Sequence, residues 1–538
     1  MNKPISSFAP ASRPWWHGAV IYQIYPRSFS DSNGDGIGDL AGITQRLDYV
    51  ASLGVDAIWL SPFFASPMRD FGYDVSDYRA VDPMFGTLAD FDALVARAHA
   101  LGLRVIIDQV YAHTSDAHAW FQESRSGRAN PKSDWYVWAD PKPDGTPPNN
   151  WLSVFYGPCW TWDGRRGQYY LHNFLPAQPN LDVHNGEVQK ALFDTARFWL
   201  DRGVDGFRLD AINFAMHDPK LTDNPPVLDG DAIRKRPFDY QQHLHNQSQP
   251  DLIPFIEKLA AVVQSFGPDR FTVAEVGGEN SIEERQAYTG GDNRLNTSYG
   301  FDFLYADHLN PALIVDALAH WPGAPGEGWP SWAFSNHDAP RVVSRWGGAN
   351  ADPAWAPLLL ALLTGLRGNV FLYQGEELGL PQAEIPFDRL RDPEAIANWP
   401  LTLGRDGART PMPWSSEKAF ADFSTVEPWL PIPQDHIARA VSQQDGDGHS
   451  TLAIARDLIA LRRSSVALKE GSFRPLALPP PLLGFDREAS EQRVRCLFNL
   501  GTAAMPCDAL AQGRVIFSSG TVRDRTLGPL SACYLEIG

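Results

Sequence analysis

Short apolar runs with strand character alternate with helical patterns along most of this chain, and no other feature constrains its fold as strongly. The runs at 19–25, 55–60, 104–110, 204–209, 271–276, 331–335 and 369–373 read as strands. Residues 90–100 between two of them read as a helix with Phe91, Leu94 and Val95 on one face. Strand alternating with helix implies a parallel sheet, because a parallel pair needs a crossover that a helix supplies. Eight such units close an α/β (β/α)8 TIM barrel. The missing strand, sixth in order, is expected near 299–303.

Two regions break the rhythm. Residues 111–180 are rich in Pro, Gly, Asn and Trp and hold no long periodic segment. A structureless loop of roughly 70 residues would be unusual, so a small inserted domain after strand 3 is expected. From about residue 472, short strand-like runs at 494–500 and 514–517 alternate with turn residues, the pattern of a C-terminal antiparallel β domain. The expected division is 1–110 for the first part of the barrel, 111–180 for the insertion, 181–470 for the second part and 471–538 for the β domain. A chain of 538 residues has room for all of these, since single cores stop growing at about 250–300 residues.

Three of the strand candidates end in acids: Asp210 after Gly206-Phe-Arg-Leu, Glu275 after Val273-Ala, and Asp338 after Asn336-His. In a (β/α)8 barrel the active site lies at the C-terminal ends of the strands, so the three acids would meet on one rim. Paired carboxylates there suit glycoside cleavage. A retaining glycosidase needs one ionised nucleophile and one protonated donor, about 5–5.5 Å apart. Arg208 and Asp210 share a strand face at i and i+2, so the cation would favour the ionised acid. No cation is adjacent to Glu275 in the sequence, which suits a proton donor.

With these residues in place, the chain resembles glycoside hydrolase family 13, the α-amylase family. The matching segments are 108–113, 178–181, 206–211, Glu275 and 336–338, in the family's order. The string Gly404-Arg-Asp-Gly-Ala-Arg-Thr-Pro-Met-Pro-Trp414 resembles the α-glucosidase and oligo-1,6-glucosidase branch. The resemblance implies Asp210 as nucleophile, Glu275 as general acid/base, and Asp338 as the acid gripping the sugar's 2- and 3-hydroxyls. His113 and His337 match hydrogen-bond donors to the same sugar. Asp74 and Arg409 match a pair holding the terminal 4-hydroxyl, and Tyr73 matches the aromatic platform beneath that glucose. Such a pair closes the site into a pocket and implies exo action. Ala211, next to the nucleophile, matches the position where Ala or Thr accompanies α-1,4 and Val accompanies α-1,6 preference. The expected enzyme is therefore a retaining, exo-acting α-1,4-glucosidase. The alternatives are an oligo-1,6-glucosidase and a glucosyl-transferring or isomerising enzyme on the same scaffold. A non-catalytic, membrane-anchored relative would need no intact acids; this chain has all three.

The loop Asp31-Ser-Asn-Gly-Asp-Gly-Ile-Gly-Asp39 carries oxygen side chains at alternate positions. This spacing predicts a structural Ca2+ held by Asp31, Asn33, Asp35, Ile37 and Asp39, with Mg2+ as the alternative. The family's calcium beside the inserted domain is not expected, because its Asn is replaced here by Ala112. No organic cofactor is expected. The formal net charge of -18 and the lack of a basic run argue against nucleic acid. The four cysteines match no zinc or redox spacing and read as free thiols. No signal peptide or run of about 20 apolar residues is legible, so no membrane partner and a cytoplasmic location are expected.

Overall fold

A computed structural model describes residues 14–228, 234–322, 326–402 and 404–538; residues 1–13, where a signal peptide would begin, lie outside the described residues. Eight parallel strands close a barrel: β1 Val20–Ile24, β2 Ala57–Leu60, β3 Arg104–Val110, β4 Gly206–Asp210, β5 Phe271–Glu275, β6 Thr297–Tyr299, β7 Trp329–Ala333 and β8 Asn369–Tyr373. β8 returns to β1 through the pair Val20 and Val370. Strand β6 ends at Tyr299, where the sequence reading began it. It is only three residues long, in register with Val273–Glu275 of β5, too short for an apolar run to mark.

The period of two along each strand divides the barrel into an inside and an outside. Ile21, Trp59, Ile106, Val273, Tyr299 and Phe371 pack together in the interior. Their neighbours Ile58, Ile107, Phe207 and Leu209 face outward into the larger core beneath the helices. The helix Leu88–Ala100 shows why these segments form. Thr87 and Asp90 cap it reciprocally, satisfying two orphan amides, and Phe91, Leu94, Val95 and Ala98 bury one face.

The chain leaves the barrel after β3 and returns before β4. The excursion holds a short helix, Ala119–Ser124, and a three-stranded antiparallel sheet of Trp138–Ala139, Gln168–Leu171 and Trp160–Asp163. Its own core is small: Val137, Trp151, Cys159, Trp160 and Leu171. At the C-terminus, five antiparallel strands run in the order Ser472–Pro475, Leu482–Ala489, Gln492–Asn499, Ser531–Ile537, Arg514–Ser519. Arg487 ties this sheet to the barrel by donating to the Gly365 carbonyl at 2.7 Å. All four cysteines are free and buried. Among the described residues, no helix is long and apolar enough to cross a membrane.

Candidate active site

The rim of the barrel is organised around one buried cation. Arg208 is fully buried; its Nη1 lies 2.8 Å from Asp108 Oδ1 and 2.5 Å from Asp210 Oδ1, and its Nη2 lies 2.6 Å from Glu275 Oε1. This corrects the expectation that no cation adjoins Glu275. β4 sits between β3 and β5 with Arg208 level with Asp108 and Val273, so its guanidinium spans the interior toward both neighbours. The Tyr299 hydroxyl accepts from Arg208 Nε and Nη2 at 3.0 and 2.9 Å and donates to Glu275 Oε1 at 2.9 Å.

One cation does not fully offset the burial of the two aspartates beside it. Burial pushes Asp210 well above the usual carboxylate range; Arg208 opposes this, while Glu275 and Asp108 add to it. Burial likewise pushes Asp108 up to about 6 against the pull of Arg208. Arg208 therefore counters, for Asp210, the penalty of burying a carboxylate beside two others. Ala211 adjoins Asp210 in the left-handed region, at φ 36° and ψ 45°. A side chain there costs about 1–3 kcal/mol. The conformation aims the Ala211 amide at Glu275 Oε2, 3.2 Å away.

A second cluster follows β7. Gln23 Nε2 donates to His337 Nδ1 at 2.8 Å, which leaves the ring's Nε2–H facing the Tyr73 hydroxyl at 2.5 Å and Asp338 Oδ2 at 3.2 Å. Burial holds His337 neutral, pushed down to about 3. Tyr73 stacks on it with ring planes 9° apart. Asp338 accepts from Arg409 Nη2 at 2.7 Å and faces Arg405 Nη1 at 3.4 Å. Burial would raise it, but His337, Arg409 and Arg405 hold it well below the usual range.

The expected pairing of Asp74 with Arg409 is not formed. Asp74 faces its own loop, accepting from Ser66 Oγ at 2.9 Å and from the Arg69 and Asp70 amides at 3.0 Å each. Arg409 lies beneath Asp338, with Nε donating to the His337 carbonyl at 2.6 Å. Asp70 and Arg405, each four residues earlier, reach the cavity instead. Arg405 Nη2 is 2.8 Å from Asp70 Oδ1 and 2.8 Å from Asp392 Oδ1, and Gln178 Nε2 donates to Asp70 Oδ2 at 3.0 Å. A second acid and a second arginine stand four residues earlier in the same loops, and loop sequence has no periodicity by which to choose between them. Asp70, Arg405 and Tyr299 lie among these groups although sequence reasoning gives them no role; Gln178 lies in the matched segment 178–181.

These groups surround a cavity of about 440 Å³ lined by Asp210, Glu275, Asp338, Tyr73, His113 and Ala211, with Asp70 and Arg405 in its wall. Phe155 and Phe174 of the inserted domain and Phe301 after β6 supply apolar surface. His113 donates through Nε2 to the Tyr73 carbonyl at 3.1 Å, and burial pushes it down to about 4. Ala112 is buried and offers no ligand atom; nearby, the Asn180 amide donates to the Phe214 carbonyl at 3.3 Å, bridging the insertion to the loop after β4.

The loop 31–39 lies apart from this cavity and winds around its own acids. Asp31 Oδ1 accepts from the amides of Asn33 and Gly34, and its Oδ2 from Gly36, at 2.7–3.0 Å. Asn33 and Asp35 accept from the Asp35 and Ile37 amides. Asp39 caps the helix Leu40–Ser52 through the Gly42 amide at 2.6 Å and binds Ser32 with both oxygens.

Carboxylates of three barrel strands or their following loops, gathered around one cavity with buried histidines and aromatic rings, define a carbohydrate-cleaving barrel enzyme. The chain belongs to the α-amylase family: the sequence profile described as "Alpha amylase, catalytic domain" matches residues 23–471. It is 53% identical over 511 residues to a probable alpha-glucosidase of Rhizobium meliloti (strain 1021), covering 94% of this chain and 92% of that one. It is 39% identical over 534 residues to an oligo-1,6-glucosidase of Heyndrickxia coagulans, covering 92% and 93%. The crystal structure of an alpha-glucosyl transfer enzyme, XgtA, superimposes with a TM-score of 0.93 at 51% identity over 98% of this chain and 100% of that one. Within the family the chain falls in the α-glucosidase branch and is a glycoside hydrolase acting on glucosides.

Proposed function

We propose that the enzyme is a retaining, exo-acting α-glucosidase that removes terminal glucose from short α-1,4-linked sugars. The observation that supports this reading is the hydrogen-bonded set of Asp70, Gln178 and Arg405, which forms one wall of the cavity. A sugar whose non-reducing hydroxyls meet that wall presents its glycosidic bond to Asp210 and Glu275. Asp338 and Arg405 are placed to grip ring hydroxyls; His113 and His337, each neutral with one N–H, would donate to them by exchanging their present partners, the Tyr73 carbonyl and the Tyr73 hydroxyl. Asp210 attacks the anomeric carbon as Glu275 gives its proton to the departing oxygen, forming a glucosyl ester. Glu275, now ionised, then deprotonates a water, which opens the ester. The attack needs Asp210 ionised, the form that Arg208 favours against the raising effect of burial.

A sugar or alcohol hydroxyl can replace that water, and the likeness to a glucosyl-transferring structure favours a real share of transfer. Ala211 leaves the leaving-group side unobstructed, which favours maltose-type over isomaltose-type bonds. The loop 31–39 is assigned a structural Ca2+. Asp31, Asn33, Asp35, the Ile37 carbonyl and Asp39 offer only oxygen, which suits a hard cation, and Mg2+ is the alternative. The ligand class is small neutral sugar; nucleic acid and membranes are not assigned as partners, and the cytoplasm is the proposed location.

Proton NMR of the first-formed glucose tests the mechanism: the α-anomer is expected, and a β-anomer appearing first would mean inversion. Asp210→Asn should abolish turnover with the fold intact, because an amide cannot form the ester. Rates within about tenfold of wild type, about 1.4 kcal/mol, would refute the assignment.

A further inference from the structure

Three potential metal ligands meet where the inserted domain returns to the barrel, outside the sugar pocket. Among the described residues, Asp182, His184 and His217 are the one group of three or more acidic, histidine or cysteine side chains whose donor atoms all lie within 4.8 Å of one another. Asp182 and His184 immediately precede the helix Gly186–Asp201. His217 follows the turn Ile212–Ala215 that begins beyond Asp210, so the group joins two segments distant in sequence.

Their orientation suits a metal. His184 Nε2 donates to the His217 backbone carbonyl at 3.0 Å, which leaves the lone pair of the neutral ring on Nδ1. A carbonyl holding one ring N–H is the usual way a ligating histidine is aimed. Asp251 Oδ2 lies 3.9 Å from that Nδ1, at the start of the helix Leu252–Gln264, and borders the site with a second carboxylate. His217 is buried edge-on to His184 and Trp151. The carboxylates acting on Asp182 and His217 are Asp134 and Asp218, so the surroundings are negative.

We propose that Asp182, His184 and His217 bind a divalent transition ion of the zinc type, with Asp251 or water as the fourth ligand. Two imidazoles and a carboxylate favour zinc, cobalt or nickel over calcium or magnesium. Tetrahedral bonds of about 2.0–2.1 Å put ligand atoms about 3.3 Å apart, so side-chain adjustments of about an ångström complete the site. The bound ion ties the insertion to the loop after the nucleophile strand and stabilises both.

Zinc titration calorimetry of the chelator-treated full-length protein, with excess Ca2+ to occupy the loop 31–39, tests this. One equivalent with a Kd at or below about 1 μM is expected, together with a zinc-dependent rise in Tm. His184→Asn and Asp182→Asn should each weaken binding at least about tenfold and abolish the Tm rise. His184 is partly exposed, so its variant tests the site even if Asp182→Asn fails to fold; retained glucosidase activity reports the fold. Cobalt should give a tetrahedral visible spectrum in wild type and lose it in the variants. No stoichiometric zinc binding, or binding unchanged in a folded His184→Asn, overturns the proposal.

Discussion

Replacing Asp70 by asparagine separates the two candidate pairs for holding the terminal glucose. The Asp70 carboxylate accepts from Arg405 on one oxygen and from Gln178 on the other, at 2.8 and 3.0 Å, and is almost fully buried. An amide has a single acceptor oxygen, so one of those donors must face an NH2 group. Arg405 keeps Asp392 as a partner, at 2.8 and 3.2 Å, so the variant leaves that cation paired and the fold intact. What is lost is a charge-assisted contact to the bound glucose, worth about 1.5–3 kcal/mol, or about 10–150-fold in kcat/KM. The contact is to the sugar retained in every substrate, so maltose and an aryl α-glucoside should lose the same factor in steady-state assays. Asp74→Asn removes support for the loop, since Asp74 holds two backbone amides there. Its effect should therefore appear first in Tm. A folded Asp70→Asn within about threefold of wild type on both substrates, under 1 kcal/mol, would refute the pairing. So would an Asp74→Asn variant of unchanged Tm with the larger catalytic loss.

Ala211→Val should cut kcat/KM for maltose more than for isomaltose, by about 10–200-fold in their ratio, measured on both proteins under the same conditions; an unmoved ratio would remove Ala211 as the selector. Its left-handed φ of 36° adds a stability cost, because a β-branched residue tolerates that region poorly, so a lower Tm should accompany the change. Asp31→Ala should lower Tm and bound Ca2+ with little change in turnover below the melting range; an equal loss of Tm in chelated wild type would identify the metal as the cause. His118→Asn probes acid stability: burial pushes His118 down to about 3 from its ordinary 6.5, so folding favours its neutral form. Its stabilising contribution is complete above about pH 6.5 and lost as pH falls toward 3. The asparagine preserves the acceptor that caps the helix Ala119–Ser124. Thermal melts between pH 4 and 8 should show a shallower acid decline in the variant than in wild type.

The barrel was legible because its strands repeat one pattern, an apolar run buried on both faces, and periodicity is local information. β3 and β8 match the sequence reading residue for residue. β6 was displaced because three residues are too few to carry a period. The acids at the strand ends were legible too, since a strand end fixes where its last side chain sits. What no linear reading supplied is the lateral register. Two residues of spacing make Arg208 the partner of Asp210, yet the alignment of β3, β4 and β5 also sets it against Asp108 and Glu275. The same holds in the loops: Asp70 over Asp74, and Arg405 over Arg409, are choices made by packing against Gln178 and Asp392, residues distant in the chain. Sequence fixes which groups are present and which face of a strand they take. Only the closed barrel decides which charges share a low-dielectric space, and therefore which carboxylates one cation must serve.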